Sequence, residues 1–187
     1  MRVLIASDVS CYQALQAIVE KVKPDLVVIA GDILYDGKCQ CYIKDDGRII
    51  GGNTHDDPEF YRLHVEAFKH LLESTLGLGA TVALVYGDHD VAEGVDYAGM
   101  AASWGHTRNI LVARETARLI DDSPSILLVP YRESYRELRI LLRENRRLLE
   151  RVDVIVTHQE LSKLRIIARH VQYARSGEIL LASGHKV

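Results

Sequence analysis

Five short apolar runs in this chain each stop at an aspartate or a histidine. Val3-Leu4-Ile5-Ala6 leads to Asp8, Leu26-Val27-Val28-Ile29-Ala30 to Gly31-Asp32, and Val82-Ala83-Leu84-Val85-Tyr86 to Gly87-Asp88-His89-Asp90. Val154-Ile155-Val156-Thr157 leads to His158, and Ile179-Leu180-Leu181-Ala182 to Gly184-His185. Runs of this length, rich in Val and Ile, read as buried strands. In an open α/β sheet the carboxyl ends of parallel strands share one edge, and ligands bind there. One Gly-Asp after a strand is ordinary turn chemistry. Five breaks in order, all carboxylate or imidazole, point to a metal cluster, since these groups ligate hard and borderline divalent cations.

The segments between these runs fit the same architecture. Leu15, Ile18, Val19 and Val22 mark a helix over residues 12–23, stopped by Pro24-Asp25. A β-α-β start implies a right-handed crossover and a parallel strand pair. Residues 35–58 break the pattern with Gly, Asp, Lys and Asn, and read as a loop inserted beside the active edge, with a hairpin turning at Asp45-Asp46-Gly47. Within it, His55-Asp56-Asp57 reads as a solvated loop tip. A helix follows over 59–77, started by Pro58; its His64 and His70 read as surface or packing residues rather than ligands. Residues 91–109 read as irregular or partly helical. Residues 110–113, 117–120 and 126–129 read as three short strands, whose brief charged turns suit antiparallel pairing in a second sheet. Residues 132–151 read as the strongest helix, with seven arginines against four glutamates around a leucine stripe. A single aromatic residue, Tyr135, falls among those arginines, so a solvated face with intrahelical ion pairs is expected rather than a nucleic-acid surface. A helix over 160–173 and a last strand over 178–183 complete the chain.

Length and composition bound the rest. A chain of 187 residues suits one domain spanning residues 1–187. A net charge of -3 gives no global attraction for nucleic acid or anionic membrane. The first apolar run is too short for a signal-peptide core, no run approaches the roughly 20 residues of a membrane span, and a cytoplasmic protein is expected. Three cysteines, Cys11, Cys39 and Cys41, argue against a disulfide framework. Cys39 and Cys41 read as two thiols on one face of a short strand, since no second Cys/His pair matches them as a metal site. Arginine outnumbers lysine and side-chain amides are scarce, as in thermophile proteins.

The five breaks, in this order and context, resemble those of the calcineurin-like metallophosphoesterase superfamily. The family reads Asp-x-His, Gly-Asp, Gly-Asn-His-Asp/Glu, a lone His, and Gly-His-x-His. The matching stretches are Asp8-Val9-Ser10, Gly31-Asp32, Gly87-Asp88-His89-Asp90, Thr157-His158 and Gly184-His185-Lys186-Val187. The resemblance implies a four-layer αββα sandwich of two mixed sheets flanked by helices. It implies a divalent metal (Mn, Fe or Zn) held by Asp8, Asp32, Asp88, His158 and His185. It implies hydrolysis of a phosphomonoester or phosphodiester, nuclease-like substrates included, by metal-activated water with His89 assisting and Asp90 orienting His89. Two cations about 3.5–4 Å apart clamp a phosphoryl group in such sites.

The departures are not scattered. One family metal site uses two histidines at positions that are Ser10 and Val187 here, leaving Asp8 and Asp32. The other keeps four ligands, Asp32, Asp88, His158 and His185, with Asp88 replacing a neutral Asn. One tight cation and a weak or absent second follow, with Ser10 left to contact water or substrate. A second reading, a non-catalytic scaffold that binds a protein partner on a degenerate phosphoesterase fold, rests on Ser10 and Val187. A nucleotide-binding domain is excluded by the lack of Gly-x-Gly-x-x-Gly and of a P-loop. An aspartyl-nucleophile phosphatase fits poorly, because Ser10 stands where a second Asp is needed.

Overall fold

The computed structural model describes residues 1–32, 40–52, 57–92, 95–96, 103, 109–159, 171–173 and 179–182. Four strands make the first sheet: β1 (Val3–Ala6), β2 (Leu26–Ala30), β5 (Thr81–Val85) and β8 (Ile110–Ala113), in the order β1-β2-β5-β8. Among the described residues every pair in it is parallel, where a mixed sheet was expected. The second sheet is mixed. It runs β12 (Val171–Tyr173), β13 (Ile179–Ala182), β11 (Val154–Thr157), β10 (Ile126–Val129) and β9 (Arg118–Ile120), with β10 and β11 parallel and the other pairs antiparallel. β8 therefore joins the first sheet, and the expected trio of antiparallel strands is reduced to β9 and β10. Residues 171–173, expected to end a helix, form strand β12; the rest of that helix lies outside the described residues.

Alternation along the strands builds the layers, since successive side chains face opposite ways. Leu26, Val28, Ala30, Ala83, Val85 and Ala113 of the first sheet meet Ile126, Leu128, Val154 and Val156 of the second in a buried apolar core. The other face, with Val27, Ile29, Val82 and Leu84, packs against helices α1 (Tyr12–Val22) and α2 (Pro58–Gly77) through Tyr12, Leu15, Val19, Phe68 and Leu71. Leu127, Val129 and Ile155 turn outward onto Leu138, Leu141 and Leu142 of α3 (Tyr135–Glu144). The result is helix, sheet, sheet, helix, as the resemblance implied.

Local chemistry sets the helix ends. Asp57 is an N-cap, not a loop tip: its side chain accepts from the Glu59 and Phe60 backbone N–H groups, and Pro58 occupies the first turn, where its missing N–H costs nothing. His55 and Asp56 lie outside the described residues. The single helix expected over 132–151 is two: α3 and a one-turn α4 (Arg146–Leu149), broken at Asn145. The Asn145 side chain donates to the Leu141 carbonyl at 2.8 Å, competing for a helical acceptor as Asn readily does. Arg146 pairs with Glu150 at 3.1 Å, an intrahelical ion pair of the expected kind.

The inserted segment does contain the hairpin. β3 (Gln40–Ile43) and β4 (Ile49–Gly52) pair antiparallel around Lys44–Arg48, with Lys44 and Gly47 closing the turn by backbone hydrogen bonds. A second small hairpin, β6 (Val91–Ala92) and β7 (Val95–Asp96), follows the third break. The first hairpin is tied to the loop after β1. The Cys41 N–H donates to the Ser10 carbonyl at 2.8 Å, and Cys11 and Cys41 form a disulfide. This corrects the reading of Cys41 as a free thiol: an odd cysteine count does not stop two of three from meeting when a long insertion folds back. Cys39 lies outside the described residues.

Candidate metal centre

Asp8, Asp32 and Asp88 follow β1, β2 and β5 of the first sheet, and His158 follows β11 of the second. Parallel pairing brings the ends of β1, β2 and β5 to one edge of the first sheet, and His158 meets their carboxylates from the end of β11 in the second. Asp8 and Asp32 both take the left-handed conformation, with φ of 51° and 50°. Asp tolerates this region better than most residues, and here both carboxylates face His158.

His158 is the hinge of the cluster. Its Nδ1 lies 2.8 Å from the Ala30 carbonyl, which can only accept, so Nδ1 carries a proton. Nε2 then points at carboxylates: 3.2 Å from Asp88 Oδ1, 3.3 Å from Asp32 Oδ1 and 3.9 Å from Asp8 Oδ1. A neutral ring would aim a lone pair at three anions. The arrangement calls for a positive charge between them, either a proton or a cation. Burial opposes charging His158, but the hydrogen bond and charge of Asp32, with help from Asp8, raise its pKa to about 9. Burial likewise works against an ionised Asp32, yet the hydrogen bond and charge of His158 outweigh it and hold the carboxyl below its usual range. An imidazole anchored through one nitrogen to a backbone carbonyl, with the other facing carboxylates, is the usual posture of a metal-ligating histidine.

Ligand atoms of Asp8, Asp32 and His158 lie within 4.8 Å of one another, as do those of Asp32, Asp88 and His89. Asp32, common to both groups, is nearly buried, whereas the Asp8 and Asp88 side chains are half-exposed. His89 is anchored by its backbone N–H, which donates to Asp32 Oδ1 at 3.3 Å, and its Nε2 lies 3.7 Å from Asp88 Oδ2. Asp90 is fully buried and accepts the Gly87 N–H at 2.6 Å, so it shapes the turn that carries Asp88 and His89. Ser10 is exposed beside Asp8, and its carbonyl serves the hairpin. His185 and Val187 lie outside the described residues.

Close packing explains the two glycines. A Cβ on Gly31, itself at φ 79°, would strike the His158 ring, and one on Gly87 would strike the Asp32 carboxylate and backbone N. Sequence reading overlooked Ser7, whose hydroxyl lies against the Asp8 carboxylate and 2.9 Å from the Ala30 carbonyl. It also overlooked Tyr12, which is buried beneath the site. Burial first, then the charges of Asp90 and Asp32, push its phenol well above the ordinary range. Adjacency to Asp8 was the only signal for Ser7. For Tyr12 the helical spacing with Leu15 and Val19 marked burial, and nothing marked nearness to the carboxylates.

His64 and His70 behave as expected. His64 is buried between Tyr12 and Phe60, and His70 is exposed, 3.6 Å from Glu73. Among the described residues no helix is long and apolar enough to cross a membrane.

No curated protein compared with this chain matches it. The family model described as Calcineurin-like phosphoesterase matches residues 1–186, nearly the whole length. With that match, the four-layer sandwich and the acidic edge built around His158, the chain belongs to the calcineurin-like phosphoesterase family.

Proposed function

We propose that this protein hydrolyses a phosphomonoester or phosphodiester using one tightly held divalent cation, Mn, Fe or Zn. The observation that carries the reading is His158 Nε2, aimed at Asp8, Asp32 and Asp88 while Nδ1 is held by Ala30. Asp32, Asp88 and His158 would hold the cation, with His185 as a fourth ligand, and Asp8 with Asp32 would form a weaker second position. Two carboxylates on one divalent cation balance its charge, which favours tight single occupancy. When bound, the cation supplies Lewis acidity and an activated water. The chain's own residues do the rest. The buried Asp32 fixes the cluster, Asp90 and Gly87 hold the turn, and that turn presents the His89 ring at the rim to protonate the leaving oxygen.

The test is Mn²⁺-dependent hydrolysis of p-nitrophenyl phosphate and bis-p-nitrophenyl phosphate, with metal content measured on the same sample. Turnover with about one tight metal per chain is expected. His89→Ala should lose on the order of 10²-fold or more in kcat while keeping the metal. A protein that binds metal and turns over neither ester with any divalent cation would leave the scaffold reading, which Ser10 in place of a ligand favours.

A further inference from the structure

β10 also ends at the acidic edge, though no Asp or His marks its end. Val129 is in parallel register with Thr157, so Pro130-Tyr131-Arg132 leaves the second sheet beside His158 and Gln159. This exit is held on both sides. The Tyr131 N–H donates to the Tyr86 carbonyl at 2.9 Å, directly before Gly87-Asp88. The Gln159 side chain accepts from the Arg132 N–H at 3.2 Å and donates to the Arg132 carbonyl at 2.7 Å. The Arg132 guanidinium reaches the carbonyls of Tyr131 and Glu115, so this cation fastens the strap to the chain beyond β8. The strap thus bridges the two sheets beside the acidic edge, with its backbone hydrogen-bonded on both sides and Tyr131 half-buried. A tyrosine phenol, with an ordinary pKa of about 10, is a neutral donor at working pH.

We propose that Tyr131 is a substrate-contact residue whose hydroxyl donates a hydrogen bond to a non-bridging phosphoryl oxygen of the ester beside Asp88. The proposal rests on the phosphoesterase reading above. A phosphoryl group brought to three carboxylates needs donors as well as a cation. A phenol provides one without adding an anion that competes for the metal, and the strap that carries it is tied to the chain just before Asp88 and just after His158. Such a donor acts on binding of the phosphoryl group rather than on the metal.

Tyr131→Phe keeps the ring and removes the donor. With Mn²⁺-loaded protein and bis-p-nitrophenyl phosphate, KM should rise about tenfold, the usual scale for one hydrogen bond to a charged acceptor, with kcat changed less than about twofold. Inorganic phosphate should inhibit the variant more weakly by a similar factor, and Mn²⁺ affinity should be unchanged. Wild-type turnover with the same KM and phosphate inhibition in Tyr131→Phe overturns the contact and leaves the phosphoesterase reading standing. Loss of Mn²⁺ affinity in the variant overturns it too, by making Tyr131 a support of the metal cluster. Mn²⁺-loaded wild type that neither turns over nor binds phosphate overturns both.

Discussion

At Gly31 a single methyl group is decisive. Gly31→Ala places a Cβ inside the His158 ring and asks an L-residue to hold φ 79°. Stability should fall by about 1–3 kcal/mol and divalent-metal affinity should fall with it, read by urea unfolding and by competition with a chromophoric chelator. His64 gives a separate, pH-dependent prediction. It is buried, neither ring nitrogen has a hydrogen-bond partner among the described residues, and burial lowers its pKa to about 4. The folded state thus holds His64 neutral where the unfolded chain would protonate it. Its contribution is intact above the unfolded pKa of about 6.5 and is lost as pH falls toward 4, by about 1.4 kcal/mol per pH unit. Urea midpoints of wild type and His64→Phe should therefore diverge between pH 7.5 and 5, with the variant losing less stability. Sequence separated His64 from the ligands correctly because it follows no strand end. It gave no sign of the unpaired nitrogens, which depend on the rings of Tyr12 and Phe60 closing around them.

Among the elements, the hairpin of β3 and β4 is the one fastened covalently. Its disulfide to Cys11 closes a 30-residue separation that includes β2 and Asp32, with Cα atoms 5.0 Å apart. Loop closure of this size is worth about 3–4 kcal/mol through the unfolded state. A dithiol reductant should lower the unfolding midpoint accordingly, Cys11→Ser should match reduced wild type, and Cys39→Ser should retain the response to reductant. The hairpin itself was legible from Asp45-Asp46-Gly47, and α2 from Pro58 and its apolar spacing. The cross-link was not, because pairing depends on where an insertion folds rather than on how many cysteines a chain carries. The allocation of β8 was misread for a related reason. Short turns bias toward antiparallel neighbours, yet β8 pairs parallel with β5, Val82 to Ile110, and its alternating side chains fill both faces of the first sheet. Asn145 likewise splits α3 from α4 within one unbroken leucine pattern.

The whole molecule is two sheets that share a charge problem. Three carboxylates and His89 stand at the end of the first sheet and the His158 imidazole on the second, so a cation bound between the carboxylates and His158 would fasten one layer to the other. Any ligand that binds only the folded chain stabilises it by mass action, about 2.7 kcal/mol at a hundredfold excess over Kd. Mn²⁺ should raise the melting temperature by several degrees, EDTA should reverse this, and His158→Ala should abolish it. The layered architecture and the acidic edge were both legible, because strand runs and their breaks are written locally. The Tyr131-Arg132 strap was not, since its place beside His158 comes from register with β11 and from the Gln159 side chain.

The tie between His158 and Ala30 joins positions 128 residues apart in the chain. Contacts this distant in sequence form late and slowly, because loop-closure entropy is met before they give any return. The first sheet carries the three carboxylates and His89, whereas the His158 imidazole comes only with β11 of the second sheet. Under the single-cation reading proposed above, tight capture waits for β11 to dock. On that reading, metal uptake would report the completion of folding.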